Sequence, residues 1–484
     1  MYASDLESTR FSPSVVPLGA MTLAVLLLVR YLLSSSKLPS VSVGIPIWGN
    51  LVQYSKDPVS FIAAATKHYG QCFTVPMLLG RTVWLRSGQL NKEYLETRED
   101  VWSFGDGMGF FLNKIVIPGY FSHLRTFVGS LSKGISRQVT LDHYGQVAQQ
   151  ETVKCMATWS EIAERGQSME LFEEVSFLVH KIIVRCLMGS DFYEYHVTEL
   201  FDLLHSMEEN VGSILHTILP AWVPHTPARR LWAARDRIHQ IFELRLQERE
   251  KNPEEWRDSL DYISYTLRDP STAHLSGFYG AHHTLLMFAA HTSTVASISW
   301  TILELLKSPQ RLQTLREELA SNPNVEQCAF LDALVKETGR HYSGNTDVRW
   351  ARQAKTLRNV PDAITIPAGT VVSISPYLTH HDPEVWSNPR MYYPERWIEQ
   401  PDLVKKLNDG TQLRYIPFGG GSHRCPGEKM ATMISKLVVS TVVQHCELDL
   451  GVEGKPQDTT TLDFSKVGSP WLKGDVQVRI QKSS

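Results

Sequence analysis

Apolar residues recur at three- and four-residue spacing over Leu141–Ala163, Leu171–Leu187, Arg229–Glu250, Ala281–Lys307 and Pro309–Ala320. This is the period of helices that bury one face. Strict alternation is sparse. The clearest strand signal is Ala363–Ser375, where Ile364, Ile366, Val372 and Ile374 flank the turn residues Pro367-Ala368-Gly369. The segment Ala281–Lys307 is nearly free of charge and, as one helix, would run about 40 Å through the interior. Its middle reads Ala289-Ala290-His291-Thr292-Ser293. Polar groups there cost about 1–3 kcal/mol each unless they are hydrogen-bonded. Hydroxyls bonding back to carbonyls one turn earlier, with the histidine in a buried network, would satisfy that pattern without any chemistry.

A second apolar stretch lies near the N-terminus, where no charged residue occurs from Phe11 to Val29 and the densest run is Leu23–Val29. Roughly 20 such residues span a bilayer as a helix. Asp5 and Glu7 precede the run, while Arg30 and Lys37 follow it. A cleavable signal wants a basic start, so the order favours an uncleaved anchor with the bulk of the chain in the cytosol. Ser34-Ser35-Ser36, Pro39 and Pro46 then form a flexible piece followed by stiffening prolines. No repeat, low-complexity tract or long linker follows. The expected division is a short tail over 1–14, a transmembrane anchor over 15–33, a Ser/Pro hinge over 34–50 and one catalytic-size domain over 51–484.

Composition narrows the function classes. Of 484 residues, 43% are hydrophobic and 20% charged, enough apolar material for a large core and too much for general disorder. With 48 Lys+Arg against 51 Asp+Glu the net charge is -3, so no basic excess points to nucleic acid. Six cysteines, at 72, 155, 186, 328, 425 and 446, show no CxxC pairing and no disulfide-framework density.

One cysteine has an unusual setting. Tyr415-Ile416-Pro417-Phe418-Gly419-Gly420-Gly421-Ser422-His423-Arg424-Cys425-Pro426-Gly427 precedes a helical pattern over Glu428–His445. Three successive glycines let the backbone approach a flat ligand and aim N–H groups at one point, the sulfur. Beside His423 and Arg424, at a helix start, Cys425 is expected to favour the thiolate, the form that binds iron. A phosphate loop is excluded, since no Lys-Ser/Thr follows the glycines.

The run resembles the cysteine-ligand signature of the cytochrome P450 superfamily, Phe-x-x-Gly-x-Arg-x-Cys-x-Gly, with Phe418, Gly421, Cys425 and Gly427 in register. His423 stands where most members carry arginine, a variant shared with sterol 14α-demethylases. Glu337-Thr338-Gly339-Arg340 and Tyr393-Pro394-Glu395-Arg396-Trp397 are similar to two further family elements. Order and spacing agree over roughly residues 280 to 450, while the N-terminal half matches loosely. Two departures stand out: Gly339 sits inside the Glu-x-x-Arg helix, at about 1 kcal/mol in propensity, and His341-Tyr342-Ser343-Gly344 replaces the usual prolines.

The resemblance implies a mostly α fold with small β-sheets, the cytochrome P450 fold, preceded by one N-terminal transmembrane helix. It implies haem b (iron protoporphyrin IX) with Cys425 as axial ligand, and contacts from Phe418, Gly421 and Gly427. His423 and Arg349 would hold propionates, although Arg349 reads equally as a surface residue. Glu337, Arg340 and Arg396 would form a buried ion triad. Ala289-Ala290-His291-Thr292 aligns with the oxygen-activating stretch, so Thr292 would hold a water against dioxygen and His291 would relay protons. An apolar loop with Phe104, Met108, Phe110 and Phe111 falls where substrate is contacted.

Function follows as an expectation: a membrane-anchored haem-thiolate monooxygenase oxidising a lipophilic, terpenoid- or steroid-like molecule in biosynthetic secondary metabolism. Electrons would come from NADPH through a separate NADPH-cytochrome P450 reductase, with cytochrome b5 as a further donor. The reductase would dock on Lys405, Lys406, Arg414, Arg424 and Lys429. The location would be the endoplasmic reticulum membrane, single-pass, with the catalytic domain cytosolic. Two alternatives stay open, a haem-thiolate hydroperoxide isomerase or dehydratase and a non-catalytic haem- or sterol-binding membrane protein.

Overall fold

The computed structural model describes residues 38–43, 48–77, 80–213, 215, 219, 223–360, 363–450 and 457–482. The expected anchor at 15–33 lies outside the described residues, as do residues 34–37 and 44–47 of the hinge and the side chains of Phe110 and Phe111.

Helices dominate the described residues. Those that build the site are α1 (Gly88–Glu96), α2 (Phe104–Leu112), α3 (Gln138–Glu164), α4 (Leu171–Ile183), α5 (Ser190–Val211), α6 (Thr226–Lys251), α7 (Tyr279–Leu306), α8 (Ala329–His341) and α9 (Glu428–His445). The nearly uncharged segment is therefore a single 28-residue helix, and most of its residues are buried on all sides. Among the described residues one helical stretch, Ala273–Leu306, is long and apolar enough to cross a membrane, and its 72% burial marks it as a core helix. It packs against α4, α6, α8 and α9 within the largest apolar cluster.

Beside the helical core lies a five-stranded sheet of β1 (Cys72–Met77), β2 (Gly80–Leu85), β3 (Trp102–Ser103), β4 (Asp347–Ala351) and β5 (Val371–Ile374), in the order β1-β2-β5-β4-β3. β2 and β5 run parallel, and the other pairs are antiparallel. The strand signal around Pro367-Ala368-Gly369 does not close on itself. Thr365–Ile366 pairs with Lys355–Thr356, whereas β5 pairs with β2 and β4. Alternation marks which residues face the core and says nothing about the partner strand.

Candidate active site

Cys425 lies between a short 3-10 turn over Gly421–His423 and the first residue of α9, Glu428. Its own N–H donates to the Phe418 carbonyl at 2.9 Å, closing the loop. The thiol is open on one side with protein packed round the rest. That burial raises its pKa above the ordinary thiol value, although the Gly427 and Glu428 N–H groups and Arg424 pull the other way. Arg424 thus acts in the expected direction, and burial is the larger influence. Arg424 is held by Glu428 through two contacts of 2.5 and 2.7 Å, and His423 Nε2 lies 2.9 Å from Glu99 Oε2, so both side chains already have a carboxylate partner. The N–H groups reaching the sulfur also come from Gly427 and Glu428, after the cysteine, and not from the three glycines.

Gly421 serves a different purpose. Its φ is +62°, and a Cβ there would stand 2.2 Å from the Leu95 carbonyl oxygen, so the close approach is to α1 of the same chain. Gly339 is explained by the same loop: a Cβ would lie 3.2 Å from Pro417 Cβ, and the glycine lets α8 approach the residue before Phe418.

Glu99, which the sequence reading passed over, joins this loop to α2. Its carboxylate accepts from Ser103 Oγ (2.6 Å) and from the N–H groups of Phe104 (2.8 Å) and Gly105 (3.2 Å), and the His423 ring stacks on Phe104 with centroids 5.0 Å apart. Burial raises its pKa, but the bonds from His423, Ser103, Phe104 and Gly105 outweigh that and hold it down at about 2.

Through the middle of α7 the accessible positions are Leu286, Ala289, Ala290, Ser293 and Ser297, one face, mostly of small residues, in an otherwise buried stretch. His291 and Thr292 turn away from it. His291 Nδ1 is 2.8 Å from Glu208 Oε1, and the Thr292 hydroxyl donates to the same oxygen at 2.9 Å. His291 Nε2 lies 3.1 Å from the Ser176 carbonyl oxygen. Burial raises the Glu208 pKa, while bonds and charge from His291, with Lys466 and Thr292, reverse the shift and keep it below the usual carboxylate value. Back-bonding to the previous turn does occur here, but at Thr294, whose hydroxyl donates to the Ala290 carbonyl at 2.7 Å. Glu208 is 83 residues from His291 in sequence. Its signal was a charge on the buried stripe of Leu200, Leu204 and Met207 in α5.

Glu337, Arg340 and Arg396 meet. Arg340 Nε and Nη2 donate to the two Glu337 oxygens at 3.0 and 2.8 Å, and Arg396 Nε donates at 3.3 Å, with all three residues at most 3% exposed. Trp397 Nε1 and the Tyr393 N–H also bond to Glu337. Arg349 is fully buried, which removes the surface reading. It donates to the Thr97 and Leu95 carbonyls at 2.9 and 3.2 Å, and its Nε has no hydrogen-bond partner among the described residues.

Comparison with known proteins identifies the family. The family model Cytochrome P450 matches residues 39–477. The chain belongs to the cytochrome P450 family. "Cytochrome P450 monooxygenase pytD" of Aspergillus terreus is 69% identical over 380 residues, covering 77% of this chain and 100% of that protein. "Cytochrome P450 monooxygenase pynD" of Aspergillus niger is 50% identical and covers 93% of each chain. A sterol 14-alpha demethylase of Aspergillus flavus is 26% identical over 518 residues, covering 97% of this chain and 96% of that protein. The solved structure of "Retinoic acid bound cyanobacterial CYP120A1" shares the fold at a TM-score of 0.74 and 17% identity, covering 93% of this chain and 100% of that one. This P450 is a monooxygenase, and its family implies a haem iron cofactor. The residues present fit that group: an accessible cysteine before α9, a face of α7 with alanines and serines, and a buried guanidinium nitrogen with no hydrogen-bond partner among the described residues.

Proposed function

We propose that this P450 inserts one oxygen atom into a lipophilic small molecule of secondary metabolism, with Cys425 as the residue whose sulfur would hold the haem iron. Bound haem supplies reductive activation of dioxygen, and a thiolate ligand favours cleavage of its O–O bond. The chain's own residues do the rest. Phe418, Gly421 and Gly427 shape the loop that presents the sulfur. Arg349 offers its Nε, and His423 its ring, to carboxylates at the cofactor's edge, where Glu99 is a competing partner for His423. Ala289, Ala290 and Ser293 would leave room beside α7 for the cofactor and substrate, and Phe104 and Met108 of α2 would line the substrate side.

The observation that carries the reading is the buried Glu208 carboxylate bound at once by His291 and Thr292. A carboxylate, an imidazole and a hydroxyl in one hydrogen-bonded cluster can pass protons to the Thr292 oxygen. An oxygenase needs that delivery, whereas a hydroperoxide isomerase does not. Electrons come from NADPH through a separate reductase, and cytochrome b5 is a second candidate donor. Lys405, Lys406 and Lys429 are the exposed cations of the expected docking face, for Arg424 is engaged by Glu428 and Arg414 is half-buried. Residues 15–33 anchor the protein as a single pass in the endoplasmic reticulum membrane, which sets the substrate entrance beside lipid.

Purified protein reduced under carbon monoxide should show the strongly red-shifted Soret band of a thiolate-bound haem, and Cys425→Ala should abolish it. With NADPH and a fungal reductase, a panel of terpenoid and polyketide substrates should yield products heavier by one oxygen. A wild type without the band, or one that converts hydroperoxides without NADPH and inserts no oxygen, overturns the proposal.

A further inference from the structure

Tyr342 belongs to the segment that departs from the family pattern, and the structure gives it an unusual setting. Its ring lies parallel to that of Trp300 on α7, with centroids 3.9 Å apart and planes within 6°. Phe172 stands edge-on to Trp300 at 5.2 Å and 6.0 Å from Trp471, whose Nε1 donates to the Thr292 carbonyl at 3.0 Å. All four rings are at most 6% exposed. The row starts at the Thr292 carbonyl of α7 and ends at a phenol with its own proton acceptor. Tyr342 Oη donates to Glu304 Oε1 at 2.7 Å, and Glu304 pairs at 2.8 Å with Lys307, whose side chain is 26% exposed. Burial first, and the Glu304 charge second, raise the Tyr342 pKa far above the ordinary phenol value.

We infer that Trp471, Trp300 and Tyr342, bridged by Phe172, carry one-electron oxidising equivalents away from the haem pocket along α7 to the buried Tyr342 phenol when no substrate takes them. The inference rests on the monooxygenase reading, because oxygen activation is what supplies the oxidant. Each step moves one electron toward the haem. Tyr342 gives up an electron as its O–H bond breaks, the proton passes to the Glu304 carboxylate, and a neutral phenoxyl radical remains. A one-electron reductant reaching the surface, such as a thiol or ascorbate, returns the electron, and the proton returns from Glu304. Only a residue that cannot rest as phenolate needs so short a bond to an acceptor to be oxidised in the interior, and Tyr342 meets both conditions.

The experiment mixes substrate-free ferric holoprotein with hydrogen peroxide, freezes it within milliseconds and records electron paramagnetic resonance spectra. Wild type should show a tyrosyl signal, and peptide mass spectrometry should find oxidation products at Tyr342, Trp300 or Trp471. Tyr342→Phe keeps the stack and should lose the signal, as should Trp300→Phe, which keeps the tyrosine. Glu304→Gln should weaken it, and Tyr392→Phe should leave it intact. The Tyr342→Phe holoprotein should also bleach its haem faster under peroxide. The carbon monoxide band is recorded on every sample. A wild type lacking that band defeats the monooxygenase reading itself. An intact band with a radical indifferent to Tyr342→Phe, or wild-type oxidation confined to other residues, overturns the ladder alone.

Discussion

Gly421 and Gly427 are both glycines of the signature, yet alanine at the two positions should differ sharply in cost. At Gly421 the backbone has φ +62°, and a left-handed conformation costs a residue with a Cβ about 1–2 kcal/mol. The new Cβ would also stand 2.2 Å from the Leu95 carbonyl oxygen and 2.8 Å from the Leu95 carbonyl carbon. Both are backbone atoms at the end of α1, so no side-chain rotation relieves the contact. Overpacking of this kind adds about 1–3 kcal/mol. The sum, about 2–5 kcal/mol, is a large part of the 5–15 kcal/mol by which a typical domain is stable. At Gly427 φ is -88° and the nearest atom to a Cβ is Cys425 Sγ at 3.9 Å, an ordinary contact. There the expected cost is at most about 1 kcal/mol, the difference between glycine and alanine at the head of a helix. Guanidinium denaturation followed by tryptophan emission should therefore separate Gly421→Ala clearly from wild type and leave Gly427→Ala close to it. Haem retention should fall in both, in the second without loss of fold. Equal midpoints for the two variants, or a Gly421→Ala protein within about 1 kcal/mol of the parent, would refute the reasoning.

Other expectations are direct. Glu337→Gln leaves Arg340 and Arg396 buried without their shared carboxylate and should cost about 3–5 kcal/mol in the same denaturation assay. Thr292→Ala and Glu208→Gln should keep the carbon monoxide band while diverting NADPH equivalents into hydrogen peroxide, and full coupling in both would remove the proton route. Glu99 has a folded pKa of about 2 against an ordinary 4.5, so its stabilisation is complete above pH 4.5 and is lost as pH falls toward 2. The stability gap between wild type and Glu99→Gln should accordingly close over that interval in acid-unfolding curves, and a gap unchanged to pH 2 would contradict the pairing.

Local patterns carried the helices and the cysteine loop because both are written in contiguous residues. α7 needed only its run of apolar positions, and the loop its spacing of Phe418, Gly421, Cys425 and Gly427. Contacts between distant segments were legible only where the resemblance supplied them, as for Glu337 with Arg396. Glu208 and Glu99 were invisible for the same physical reason. A carboxylate declares a role through the donors around it, and here those donors come from α7 and from the loop before Cys425, far along the chain. Neighbours in sequence also gave an incomplete picture at Cys425, since His423 and Arg424 each have a carboxylate partner in Glu99 and Glu428, and burial is the largest influence on the thiol.

The departures at 339 and 341–344 show how a broken rule can be read. Glycine inside α8 costs helix propensity, but a side chain there would press on Pro417 and shift the loop that presents Cys425, so the local cost protects a longer-range fit. Two residues after the Glu-x-x-Arg helix begins its exit, Tyr342 stacks on Trp300 and bonds to Glu304, both from α7, which ties the end of α8 to the helix that carries Thr292. A proline at 342 could make neither contact. The altered segment therefore exchanges a stiff turn for an aromatic and a hydrogen-bonded link to the oxygen-side helix, and that exchange is what places an oxidisable phenol and its proton acceptor at the far end of a row of rings that begins at Thr292.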